Sequence, residues 1–284
     1  MIRWLVFGNF WVAICAAAMY AASVFTLAEP FEWRWLIIVF ASTLAAYNYH
    51  RVPQSSLAYY SRGSERHVWI RENRKALILI VLLASTLAGF LIFPILDLRT
   101  LWWFVPAGLF SLLYILPVVP VGGKWTRLRD LPFVKTFIIS AVWAVITVVP
   151  ASKEALLLER ISPEVVWLLA ERFIFLTAIS IPFDLRDLTI DAQNNVKTFA
   201  GSWGFEKTLF YCRVLLVIFA VVALIGFQFT LTSGATCLAM ITSAASTGWL
   251  IAQINEQSGE MIFAFWLEGT MIDQVFWIFL LSLL

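Results

Sequence analysis

Apolar residues run along this chain in long blocks, broken only by short polar stretches, and no block shows a period-two alternation long enough for a membrane strand. Roughly 20 apolar residues cross a bilayer as a helix. By that measure nine blocks qualify, near 3–27, 34–50, 76–96, 101–119, 133–150, 164–183, 207–228, 233–253 and 262–283. The first is longer than the apolar core of a signal peptide, so it reads as a retained span rather than a cleaved leader. The pattern predicts an all-α integral membrane protein with nine transmembrane helices, a single polytopic domain over 1–284. The longest connection, 51–75, is too short to fold alone.

Composition agrees with the pattern. The chain is 61% hydrophobic and 13% charged, with a mean hydropathy of +0.85, whereas a soluble domain carries about 25% charged residues. The net charge of +2 comes with no basic-aromatic platform and no metal-finger spacing, so nucleic acid is not an expected partner. Cys15, Cys212 and Cys237 share no motif spacing and read as small buried hydrophobes. The distribution of charge adds orientation. The connections 51–75, 120–135 and 184–207 hold thirteen of the 20 Lys and Arg residues, and the opposite side has only Arg34, Arg99, Lys153 and Arg160. The positive-inside rule then places the N-terminus on the cytoplasmic side and the C-terminus on the far side. This is the topology of a cell-membrane protein, and the bacterial inner membrane is the expected location.

One polar stretch stands apart. Asp184, Asp187 and Asp191 fall within eight residues of a sparsely charged chain, at spacings that place all three on one face of a helix end. Like charges that close repel unless a cation lies among them. Hard carboxylate oxygens suit Mg²⁺, which keeps several waters and commonly bridges to phosphate. The plainer alternative is a polar helix end at the membrane surface, with Arg186 and Lys197 as counter-charges.

This run resembles the second acidic motif of the UbiA-type intramembrane prenyltransferases, Asp-x-x-x-Asp preceded by Asp-x-Arg and trailed by Thr and Gly. Asp187 and Asp191 match the motif, Asp184 and Arg186 the preceding pair, and Thr198 with Gly201 or Gly204 the trailing Thr and Gly. The resemblance implies a nine-helix UbiA-like bundle. It also implies transfer of a prenyl group from an isoprenyl diphosphate to an aromatic or other lipophilic acceptor, with membrane lipid around it. Asp187 and Asp191 would hold Mg²⁺ against the diphosphate, Asp184 would support them, and Arg186 would contact substrate.

The family's first motif, Asn-Asp-x-x-Asp-x-x-x-Asp, is broken here. Asn48 matches its Asn, which the resemblance makes a substrate-binding residue supporting the metal site, while Tyr49, Val52 and Ser56 stand where its carboxylates belong. His50 and Arg51 bring positive or proton-donating character instead, and Arg can grip phosphate without a metal. A snorkelling interfacial Arg51 is the plainer reading. Tyr114 and Lys124 loosely match the family's helix-end Tyr and the cation just beyond it, which the resemblance implies would bind the diphosphate, and Lys135 matches a more variable position. Glu171, Arg172, Glu268 and Asp273 sit inside apolar spans, where ionisable groups pair with one another or face a cavity. Three classes compete: a UbiA-like prenyltransferase, a catalytically inactive UbiA-like lipid-binding protein, and a transporter, for which broken-helix repeats are not evident.

Overall fold

In a computed structural model, residues 2–54, 65–114, 116–117, 119–121, 124–131, 133–193 and 196–283 are described. The first apolar block forms α1 (Ile2–Phe7) and α2 (Phe10–Leu27), parted at Asn9, whose backbone is left-handed at φ 64°. That break disturbs the helical hydrogen bonds around Gly8 and Asn9, and buried polar groups must find partners elsewhere. α3 (Trp33–Gln54) supplies them through Asn48. The Asn48 amide donates to the Gly8 and Leu44 carbonyls, both at 3.0 Å, and accepts from Asn9 Nδ2 at 2.8 Å.

Next come α4 (Glu65–Glu72), α5 (Arg74–Ile92) and α6 (Leu98–Leu113). A small antiparallel ribbon, β1 (Val119–Val121) and β2 (Lys124–Thr126), leads into α7 (Val134–Val148) and the short α8 (Lys153–Leu156). α9 (Pro163–Ser180) starts at Ser162, whose hydroxyl accepts from the Val165 amide, with Pro163 in the first turn. Pro182 ends its regular path, and the chain continues as α10 (Phe183–Arg186), α11 (Leu188–Gln193) and α12 (Phe199–Trp203). α13 (Phe205–Gln228), α14 (Gly234–Ala252) and α15 (Glu268–Ser282) complete the chain, α15 entered through a π-helical stretch, Ile262–Leu267.

Among the described residues, seven helices are long and apolar enough to cross a membrane: Phe10–Leu27, Arg74–Ile95, Val134–Ala151, Pro163–Arg186, Phe205–Gln228, Gly234–Ala252 and Ile262–Ser282. The two other expected spans are helical but differ in kind. α3 has 22 residues, with Asn48, His50 and Arg51 making its last turns polar. α6 is apolar but has 16 residues; the helix expected over 101–119 stops short of Pro117, whose ring disfavours helical backbone at the residue before it.

The helices α2, α15, α14, α13, α9 and α7 close on one another as a ring, α3 packs against α2 and α5, and α6 leans on α7. Outward-facing Leu79, Leu83, Phe90, Phe93, Trp102, Val217 and Trp249 give the bundle an apolar exterior, suited to hydrocarbon. Inside, the buried Arg172 guanidinium is held by Gln274 of α15 and by Ser23 and Met19 of α2, and Asp273 accepts from Ser246 at 2.5 Å. Trp11 braces the π-helical stretch: its indole N–H donates to the Phe265 carbonyl at 2.9 Å, and the two rings stack at 4.4 Å.

α9 and α13 approach closely at Gly226, where an added Cβ would lie 2.4 Å from Trp167 Nε1. Gly226→Ala is therefore expected to force the indole aside and destabilise the protein by about 1–3 kcal/mol, the usual cost of overpacking. A detergent melt of the purified variant checks this; an unchanged midpoint would mean the two helices can part freely.

Candidate active site

A cavity of about 590 Å³ runs beside α3, α6, α7 and α9. On α3 it is lined by Trp35, Val39, Ser42, Ala46, Tyr47, His50 and Arg51, one face of the helix at the 3.6-residue repeat. Trp35 and Arg51 are sixteen residues apart, so this wall is about 24 Å long at a rise of 1.5 Å per residue. Along α7 the lining runs from Lys135 through Ile139, Trp143 and Ile146 to Pro150 just beyond it. The two ends differ in chemistry. Trp35, Phe104, Ile92 and Pro150 make one end apolar, with the rings of Trp35 and Phe104 stacked at 5.6 Å. The other end is charged.

That charged end is built where Pro182 turns the chain out of α9. The single turn of α10 presents Asp184 and Arg186, Asp187 comes next as its cap, and Asp191 sits in the first turn of α11. All four line the cavity. Lys135, in the first turn of α7, reaches between two of the carboxylates, its ammonium 2.8 Å from Asp184 Oδ1 and 2.8 Å from Asp191 Oδ2. Arg186 grips Asp187 with two parallel bonds, Nε to Oδ1 and Nη2 to Oδ2, each 2.9 Å. Such forked, charge-assisted pairs are among the strongest polar contacts a protein makes. Farther round the rim, Arg66 bonds Glu260 at 2.5 Å, and the Arg186 guanidinium lies 4.0 Å from the same carboxylate. Arg51 sits over the Tyr47 ring at 5.7 Å, and Arg129 over the Tyr114 ring at 5.5 Å. Glu268 of α15 also faces this end.

Burial and the neighbouring cations oppose each other in setting the state of the carboxylates outside the spans. Burial alone would raise Asp187, but Arg186, with Lys135 and Arg66 beyond it, holds its carboxyl well below the usual range. Glu260 is likewise lowered, burial being outweighed by Arg66 and Arg186. Asp191 shifts the other way: burial pushes it up and Lys135 offsets only part of that.

Of the residues singled out in the sequence, Asp184, Asp187, Asp191, Arg186, Arg51 and Tyr114 all border this cavity. Asn48 does not. It is fully buried, with both ends of its amide engaged by the break between α1 and α2, so it is placed as a structural tie rather than a ligand contact. Lys124 falls in β2, and its side chain, like residues 55–64 that include the family motif's last position at Ser56, lies outside the described residues. Tyr49, at the first carboxylate position of the broken motif, is exposed at 44%. The sequence pattern does not single out Arg66 or Glu260, and it leaves Lys135 and Glu268 unassigned to this site. For Glu268 the signal was present, a carboxylate inside an apolar span.

The donor set can be tested against Mg²⁺. It consists of hard oxygens only, and Asp184 Oδ2 is buried without a hydrogen-bond partner among the described residues. Yet no three His, Cys, Asp or Glu side chains among the described residues gather closely enough to hold a metal. Mg²⁺ commonly binds through one or two carboxylates plus substrate phosphate rather than in an all-protein cage. The residues therefore fit an ion shared with a phosphate ligand and do not form a ready-made cage.

No protein-family model matches the chain, and no curated protein matches it by sequence. Solved structures do match. A UbiA homologue from Archaeoglobus fulgidus, bound to GPP and Mg²⁺, superposes with a TM-score of 0.67 over 99% of this chain and 100% of its own, at 11% identity. The chain has the UbiA fold. The apo UbiA homologue from Aeropyrum pernix K1 gives a TM-score of 0.63 at 13% identity over 96% of each chain. A digeranylgeranylglyceryl phosphate synthase gives 0.58 at 14% identity over 99% of this chain and 98% of that one. With the UbiA fold and seven apolar helices of spanning length, this is an integral membrane protein.

Proposed function

We propose that the chain is a UbiA-like membrane prenyltransferase, transferring a prenyl group from an isoprenyl diphosphate to an aromatic or other lipophilic acceptor. The observation that carries this reading is the cavity itself, a long apolar shaft ending in a cluster of cations and carboxylates. An isoprenyl diphosphate has the same division, an apolar tail and a small polyanionic head. The UbiA homologue solved with GPP and Mg²⁺ supports the same assignment.

On this reading Arg51, Lys135 and Arg186 receive the diphosphate, with Tyr114 and Lys124 beside it. Asp187 and Asp191 would hold Mg²⁺, and Asp184 would support them. The metal supplies charge neutralisation for the departing diphosphate. The protein's cations share that task, drawing the bonding pair of the allylic C–O bond onto the leaving oxygen. The apolar walls, with Tyr47 and Trp143 among them, exclude water while the acceptor attacks the allylic carbon and sheds its proton to a base at the mouth.

Nine membrane crossings, counting α3 and α6 with the seven apolar helices, would put the N-terminus and the charged mouth on the cytoplasmic side of a cell membrane, as the loop charges favour. A reporter fused to the C-terminus should then be active outside the cytoplasm; activity inside would overturn the arrangement.

One feature favours a second reading, a UbiA-like lipid-binding protein without catalysis. Tyr49, Val52 and Ser56 leave the first acidic motif without carboxylates. Titration of a geranyl-type diphosphate into purified protein, with and without Mg²⁺, separates the two when combined with an assay for released diphosphate. Mg²⁺-dependent binding with turnover supports the enzyme, and binding without turnover the inactive scaffold. Arg51→Ala removes a charge-assisted contact worth about 1.5–3 kcal/mol and should weaken donor binding roughly ten- to a hundredfold. Unaltered affinity would return Arg51 to the role of an interfacial cation.

A further inference from the structure

Lys135 bonds Asp191, one of the two carboxylates that the motif offers to metal, and Asp184, which supports them. Its side chain is only 12% exposed, those of Asp184 and Asp191 are nearly buried, and the second oxygen of Asp184 faces no partner among the described residues. The lysine is thus a resident cation on the acidic cluster, tethered by a flexible four-carbon stem to the first turn of α7.

We propose that Lys135 latches the site against metal, and that a diphosphate opens it by drawing the ammonium onto its own oxygens. The inference rests on the diphosphate-binding reading above and adds an order of events to it. The physical ground is charge. Metal–oxygen bonds of about 2.1 Å would bring an ion on Asp191 within roughly 4–5 Å of the ammonium bonded to the same carboxylate. With both in place the cluster of Asp184, Asp187, Asp191, Lys135 and Arg186 goes from net −1 to net +1, all of it in a partly dehydrated pocket where like charges repel strongly. A diphosphate arriving with the metal reverses that balance. It offers Lys135 more acceptor oxygens than a carboxylate does, and it leaves Asp191 free for the ion and Asp184 free to support it. Arg186 holds its carboxylate by a two-point fork, so Lys135, a point charge on a long stem, is the cation suited to move.

Two sites coupled in this way obey a reciprocity: each ligand must raise the other's affinity by the same factor. The experiment uses Mn²⁺ as an oxygen-seeking, paramagnetic stand-in for Mg²⁺ and inorganic pyrophosphate as the anion, read by electron paramagnetic resonance of bound Mn²⁺ after dialysis. The unaltered protein should hold Mn²⁺ weakly alone and about ten- to a hundredfold more tightly with pyrophosphate, which should itself bind more tightly by the same factor with Mn²⁺. Lys135→Met should bind Mn²⁺ at least roughly tenfold better than the unaltered protein when no pyrophosphate is present. Lys135→Arg, which keeps a cation between the carboxylates, should still exclude it. Tight Mn²⁺ binding by the unaltered protein alone would overturn the latch, as would a Lys135→Met variant no better than the parent. Should Lys135→Met fail to fold, Lys135→Gln, which removes the charge but keeps a hydrogen-bond donor for the carboxylates, takes its place, and a folded Lys135→Gln with Mn²⁺ affinity no better than the parent would overturn the latch equally. Failure of both ligands to bind in any combination would instead count against the diphosphate reading itself.

Discussion

Lys135→Met is expected to destabilise the metal-free protein by about 3–5 kcal/mol, the cost of stripping the partner from buried charges. The side chains of Asp184 and Asp191 are 3% and 8% exposed, and each gives one oxygen to this lysine at 2.8 Å. Without it, two carboxylates only seven residues apart in sequence are left to repel each other while nearly buried. The loss should appear as a lower melting midpoint in detergent. Replacing all three residues together, Lys135→Met with Asp184→Asn and Asp191→Asn, should recover much of the loss, because removing a buried pair whole is far cheaper than removing half of it. A single variant as stable as the parent would mean that the carboxylates reach solvent or another cation.

Asp187→Asn should have the largest effect on catalysis. The substitution keeps size but deletes an anionic metal ligand, and it leaves one arm of the Arg186 fork without its acceptor. Transfer of a prenyl group is expected to fall by a factor of about a hundred or more, corresponding to some 3 kcal/mol of lost transition-state stabilisation. The Mg²⁺ concentration needed for half-maximal rate should rise as well. The measurement is a rate at saturating donor over a range of Mg²⁺. Because Asp187 carries its charge far below neutral pH, any rise in Mg²⁺ requirement on moderate acidification should come from Asp191, whose carboxyl burial pushes up, and not from Asp187. Unchanged rates and Mg²⁺ dependence would place the metal elsewhere.

Much of this architecture can be read from hydropathy, because a spanning helix has to be apolar nearly all round and announces itself in bulk. The polar turns of α3 and the short α6 dilute that signal for physical reasons, the one lining a charged mouth and the other ending before Pro117. The acidic cluster was legible too, since three carboxylates within eight residues are conspicuous in so apolar a chain. What pairs with them was not. Lys135 lies 49 residues before Asp184 in the sequence, and only the packing of α7 against α9 brings the two together. Asn48 misled for a related reason. Its amide closes a break at Gly8 and Asn9 some forty residues away, and the only hint was a polar pair inside an otherwise apolar run.

The π-helical stretch Ile262–Leu267 acts as a slip of phase in the last span. A wider turn carries a surplus residue, so the faces before and after it do not keep to one 3.6-residue count. Glu260 lies before the slip, and Glu268 and Met271 after it, yet all three line the cavity, while Gln274 one turn on meets Arg172. Removing a single residue from the stretch would let the helix run regularly but would turn everything beyond it by about 100°. Glu268 would leave the mouth and Gln274 would leave Arg172. The length of this segment is therefore fixed by angle rather than by span, and a shift of one residue here would cost more than most substitutions along the same helix.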